Sequence, residues 1–379
     1  MFESLGFENV TPQQASVLLA VLVGLLFGVF GQITRFCFRR SLVGEDRVSA
    51  AGVWLTALAF AVAGTQASIA AGWITFDDHR FMSAELPYLA IAVGGLMFGA
   101  GMILTRGCVS RLTVLAGTGN LRALLVLVVF AVVAHATIKG VFAPFRVALG
   151  AVTADLGSAI SLANWPGGSW FWTAVIVLAA LGYAARSGNR AGMLVMAAVI
   201  GLLVPLAWVG TGFILFDEFD PIAMESLSFT APSSDALFWV IANSAIPAGF
   251  GVGLLGGVLA GAALASLTFG GFAWQSFETP AQTGRYLTGA ALMGVGGVLA
   301  GCAHPVSGGD LRDLHDCCRW VGNAGGVEGC ACTAPGPRLT FHWILCRSRR
   351  SSHHTKPTAT GTARAVNVPL LIPVCSASG

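Results

Sequence analysis

Long apolar runs separated by short polar breaks dominate the pattern of this chain. Stretches free of Asp, Glu, Lys and Arg run from 9 to 34, 48 to 76, 86 to 105, 123 to 138, 156 to 185, 191 to 216, 236 to 277 and 286 to 309. A helix that crosses a bilayer needs roughly 20 apolar residues, and most of these runs suffice. The 236–277 run has room for two elements, whereas 86–105 and 123–138 are marginal. The pattern therefore predicts about eight or nine membrane segments, some of them re-entrant. A transmembrane barrel would alternate apolar and polar positions in roughly ten-residue units, which this chain does not do. Helices then remain as the way to satisfy the backbone in lipid, so the expected fold is an all-α polytopic membrane protein.

Composition agrees with that pattern. Of the 379 residues, 55% are apolar and 10% charged, and the mean hydropathy is +0.76; soluble domains carry about 25% charged residues. Basic residues set the orientation: Arg35, Arg39, Arg40 and Arg47 fall in the first connection and Arg186 and Arg190 in a later one. Asp217, Glu218, Asp220 and Glu225 cluster in another. The excess of Arg on cytoplasmic loops then places the N-terminus outside. Residues 1–13 form a short extramembrane segment with no basic n-region and no small-residue cleavage site, so the first apolar run is expected to stay as a helix.

Glycine occurs 49 times and recurs at four-residue spacing in Gly24/Gly28, Gly95/Gly99 and Gly253/Gly257/Gly261, a spacing that lets helix backbones approach closely in lipid. Two longer strings also recur in order. "VGLLFGVF" at 23–30 matches "VGLLGGVL" at 252–259 at six of eight positions, and "LMFGAGMILTRGC" at 96–108 resembles "LMGVGGVLAGC" at 292–302. An internal duplication is the economical reading, with a first membrane repeat over 14–160 and a second over 161–302. Repeats in transporters place the substrate site at their interface.

Both copies of the second string end in Gly-Cys, at Cys108 and Cys302, and Cys37 follows the first glycine-rich helix in "TRFCF". An isolated cysteine on an apolar face is ordinarily inert packing. Here Arg35, Arg106 and Arg111 lie close by in sequence. Arginine beside a thiol raises its thiolate fraction, and arginine at the edge of a membrane segment is costly enough to suggest an anionic ligand. The competing reading is that these arginines only snorkel to headgroups.

At these residues the chain resembles the YeeE/YedE family of sulfur-transport membrane proteins. The resemblance rests on "TRFCF" at 34–38, on "FGAGMILTRGC" leading into "GTGNLRALLVL" at 117–127, and on "GAALMGVGGVLAGC" at 289–302. It spans roughly residues 14 to 302. It implies two inverted halves with short re-entrant helices meeting at a waist. It also implies uptake of thiosulfate or a related sulfur anion, passed along a path lined by Cys37, Cys108 and Cys302. Arg35, Arg106 and Arg111 are the accompanying candidate substrate-binding residues.

Residues 303–379 depart from that pattern. Where the family would continue with wording like "CTIGQG", the chain reads "AHPVSGGDLRDLHDCC", and six of nine cysteines and five of seven histidines lie after residue 302. His315, Cys317, Cys318, Cys330 and Cys332 fit none of the usual zinc spacings. The basic "CRSRRSSHHTKPTATGTARA" could serve as a regulatory membrane-surface segment. A shifted reading frame is the favoured account, because codons for Ala303 to Ser307 read from the third base permit Thr, Pro, Gly and Gln. That account expects a poorly ordered tail.

Other chemistry is sparse. His135 in "VVAHATIKG" could relay protons, although bonding a neighbouring helix is the more ordinary use of a lone membrane histidine. No Walker A loop, Rossmann glycine pattern or nucleophile elbow occurs, so ATP hydrolysis is not expected; the favoured reading is a non-enzyme with no cofactor, metal or nucleic-acid partner. Two function classes follow: a transporter or channel for a sulfur anion, and a membrane thiol enzyme relaying persulfide with a cytoplasmic sulfurtransferase.

Overall fold

The computed structural model describes residues 10–76, 85–157, 164–217 and 221–301. Cys302 and the tail 303–379, with its zinc, regulatory and frame-shift readings, lie outside the described residues. Among the described residues twelve α-helices follow in order: α1 Pro12–Ile33, α2 Phe38–Val43, α3 Arg47–Ala70, α4 Tyr88–Leu104, α5 Val109–Gly117, α6 Leu121–Ile138, α7 Ala143–Gly150, α8 Gly168–Ala185, α9 Ala191–Val209, α10 Thr230–Ala242, α11 Phe250–Thr268 and α12 Pro280–Gly301. Among the described residues the strands are β1 Glu85–Leu86 and β2 Ala154–Asp155, an antiparallel pair. This is an all-α multi-pass membrane protein.

Among the described residues, seven helical segments are long and apolar enough to cross a bilayer. They carry large apolar side chains on their outer faces, such as Leu18, Leu96, Leu178 and Val195, which lipid accommodates and water would not. Two further helices, α10 and α12, fall outside that set. The 236–277 run supplies one spanning helix, α11, because α10 ends at Ala242, and 13 residues reach only about 20 Å. The last run becomes α12, which has 22 residues but opens on the polar positions Gln282, Thr283 and Arg285.

Local chemistry fixes the ends of these helices. At α1, Thr11 and Gln14 form a reciprocal capping box and Pro12 occupies the first turn, where its missing N–H costs nothing. Asn120 caps α6 through its side-chain oxygen, which accepts from the Ala123 N–H at 3.0 Å. The α11–α12 connection is tied to the turn between α5 and α6. Leu121 N donates to Gln275 O at 2.9 Å, Asn120 Nδ2 to Gln275 Oε1 at 2.8 Å, and Arg122 pairs with Glu278 at 2.7 Å.

Glycine governs how the long helices meet. α1 runs parallel to α11: a Cβ at Gly24 or Gly28 would lie 2.3 Å from the Leu254 or Val258 carbonyl oxygen, and one at Gly257 would lie 2.3 Å from that of Val21. α4 runs antiparallel to α12, with Gly94 against Gly296 and Gly101 against Gly289. Thus the helices holding the matched strings pack on one another. Inversion across a bilayer turns a helix antiparallel, as in α4 and α12. The parallel α1–α11 pair is of another kind, so the string matches alone do not define a single inverted repeat. Gly95 and Gly99 have open space where a Cβ would sit; on α4 the close approaches are made by Gly94 and Gly101 instead.

α5 has nine residues, about 14 Å, too short to span. It nonetheless packs against α1, α6 and α11, in the manner expected of a short re-entrant helix. This places its N-terminus beside the C-terminal end of α1.

Candidate functional site

Two copies of one local structure build the site. α1 ends at Thr34-Arg35-Phe36-Cys37 and α4 at Thr105-Arg106-Gly107-Cys108. In each, the Thr hydroxyl donates back to the carbonyl four residues earlier, Thr34 to Phe30 O at 2.7 Å and Thr105 to Gly101 O at 2.9 Å. The arginine then turns left-handed, with φ of 51° at Arg35 and 60° at Arg106. Arg35 N donates to Gln32 O and Phe36 N to Gly31 O; Arg106 N donates to Ile103 O and Gly107 N to Met102 O. These are Schellman turns with arginine where glycine is usual, a conformation that costs an ordinary residue roughly 1–2 kcal/mol. Each cysteine follows in extended backbone and begins a short helix, Cys37 for α2 and Cys108 for α5.

The turns bring the thiols together. Cys37 Sγ and Cys108 Sγ are 3.9 Å apart, and each residue retains 7% exposure. Ser110 Oγ lies 3.3 Å from the Cys108 sulfur. Around them pack Met102, Leu112, Val126, Phe130, Tyr286 and Met293. The pair is therefore enclosed by apolar and polarizable surface, with neighbouring hydroxyls and no carboxylate among the described residues of that cluster.

The three candidate arginines separate. Arg35 and Arg106 are exposed and contribute mainly their strained backbone to the turns. Arg111, in the first turn of α5, is half-buried and donates from Nη1 to Gly31 O and Gln32 Oε1, each at 3.2 Å. Its charge lies within electrostatic range of both thiols, and of Arg35 and Arg40. Arg40 is itself paired with Asp46, outside the membrane segments, and holds that carboxyl below its usual range. The resulting environment is net positive beside two thiols. Among the described residues no cluster of His, Cys, Asp and Glu could hold a metal ion.

His135 takes the ordinary role: Nδ1 lies 3.0 Å from Ser234 Oγ of α10, and its ring stands 3.8 Å from that of Phe238. Sequence reasoning did not single out Gln32, Gly31 or Ser110. The available signal was the repeated Thr-Arg-x-Cys, which marks two equivalent helix ends; the acceptors for Arg111 lie just before the first of them.

A family model described as sulphur transport matches residues 27–304. The chain is also 25% identical over 314 residues to a thiosulfate transporter, TsuA, of Escherichia coli (strain K12), an alignment covering 75% of this chain and 84% of that protein.

Proposed function

This chain belongs to the sulphur transport family, and from that we propose that it carries thiosulfate, or a closely related sulfur anion, inward across the membrane past the thiols of Cys37 and Cys108. The observation that carries the reading is the thiol pair, 3.9 Å apart, beside the half-buried Arg111. A dianion is rejected by a bare apolar pore, whereas a guanidinium and the N-terminal end of α5 offer positive potential. Thiols are weak donors and polarizable surfaces that suit a terminal sulfur. Weak binding lets the anion leave again, as conduction requires. Cys302 is included as a third waypoint on the strength of the family pattern, and Arg35 and Arg106 as cations at the approaches.

In this reading the protein lies in the cell inner membrane with its N-terminus outside, and a cytoplasmic sulfurtransferase receives the product. A topology reporter fused between Arg186 and Arg190 should read cytoplasm, and one between Asp217 and Glu225 the outside; the reverse pattern overturns the orientation. Substrate is tested by growth of a sulfur-auxotrophic host expressing the full chain on thiosulfate, sulfite or sulfide as sole source. Rescue on thiosulfate is expected. No rescue on any of the three removes the transport reading.

A further inference from the structure

Arg111 is anchored by one edge only. The two N–H groups of Nη1 are engaged by Gly31 O and Gln32 Oε1, both from the last turn of α1. Nε and Nη2 bond no protein group among the described residues. A guanidinium has five donors in a rigid planar fork, so three remain on the free edge. Three residues before Arg111 stands Cys108, facing Cys37.

Anchoring matters because the neighbourhood is repulsive. Arg35 and Arg40 act on Arg111 as like charges, and a long side chain has many rotamers to retreat into. The acceptors that oppose such retreat are the Gly31 carbonyl and the Gln32 amide. The carbonyl also accepts the Phe36 N–H of the Schellman turn, so it is fixed by the backbone. Gln32 is the side chain that completes the clamp, and its neutral amide holds the cation without cancelling its charge.

We infer that Gln32 is a positioning residue: it holds Arg111 so that the free edge of the guanidinium receives the sulfonate oxygens of the anion while the terminal sulfur turns to Cys37 and Cys108. This rests on the proposed transport function and deepens it by naming the side chain that orients Arg111 toward the anion. A bidentate fork on oxygens is matched to a planar edge, which lysine would not supply. Neutrality at position 32 is part of the design, since a carboxylate there would form an ion pair with Arg111 and spend the charge meant for the substrate.

Thiosulfate uptake kinetics in cells expressing the full chain test the inference, with membrane abundance measured in parallel. Gln32→Met keeps the length and removes the acceptor; KM is expected to rise about tenfold, the scale of one charge-assisted hydrogen bond, with maximal rate per protein within about twofold. Gln32→Glu keeps an acceptor and would serve a merely structural role as well as glutamine does. It too is expected to raise KM, because it neutralises Arg111. A KM unchanged in Gln32→Met, or wild-type kinetics in Gln32→Glu, overturns the inference while wild-type uptake keeps the transport reading intact. Absence of uptake by the wild type itself overturns both.

Discussion

Replacing Cys108 by alanine is expected to abolish growth on thiosulfate while leaving the protein in the membrane at near its ordinary level. The substitution removes one sulfur from a site whose neighbours include Met102, Leu112, Phe130 and Met293. The small void and the lost weak contact to Ser110 should cost about 1 kcal/mol, within the range of ordinary substitutions. The functional loss is of another order, because the paired Cys37 thiol then faces a methyl group. Serine separates the two chemistries. A hydroxyl can hydrogen-bond an anion but cannot carry a persulfide, so partial growth with Cys108→Ser supports anion passage. Complete loss in serine and alanine alike, with normal abundance, would favour the relay. Normal growth with Cys108→Ala would make the thiol a packing residue.

The second large effect belongs to packing. Gly257→Ala places a methyl group 2.3 Å from the Val21 carbonyl oxygen, a distance that forces α1 and α11 apart. Overpacking at a rigid backbone costs typically 1–3 kcal/mol, and here the contact is with main chain rather than with a side chain that can rotate away. The variant should show a markedly lower melting temperature in detergent and reduced yield. Gly95→Ala and Gly256→Ala, which have open space at the same atom, should melt like the wild type. Equal melting of Gly257→Ala and Gly95→Ala would mean that α1 and α11 do not approach as described.

The contrast between these glycines also shows how far the sequence could be read. Four-residue spacing identified Gly24/Gly28 and Gly253/Gly257/Gly261 because both sets lie on one helix face and that face meets a partner. The same spacing at Gly95/Gly99 marks positions with open space where a Cβ would sit, and periodicity within one helix carries no information about which face is covered. Charge-free runs located the spanning helices well, since lipid demands length and apolarity of any spanning segment. At 236–277 the run holds two elements, as its length suggested, with Pro247 and the polar stretch around Asn243 and Ser244 separating the short α10 from α11.

At the site, Cys37 and Cys108 were legible from the strings that hold them, and the structure brings them together. Their partner Arg111 was legible as a cation, but its hydrogen bonds were not, because Gly31 and Gln32 are about 80 residues away in sequence. Arg35 and Arg106 resemble ligands in sequence, yet they occupy the left-handed position of a helix-ending turn, a role that spacing does not reveal. Cys302 completes the expected set from sequence alone.

The central claim is that a sulfur anion passes over the Cys37–Cys108 pair. Its most direct test is uptake of radiolabelled thiosulfate by the full-length protein in vesicles, before and after mild oxidation with diamide. Sulfurs 3.9 Å apart need only a small approach to reach the roughly 2.05 Å of a disulfide. Mass spectrometry would confirm the bridge. The account predicts that closing the pair stops uptake and that dithiothreitol restores it, with no such response in Cys37→Ser. Undiminished uptake through protein whose Cys37 and Cys108 are shown to be bridged would contradict it.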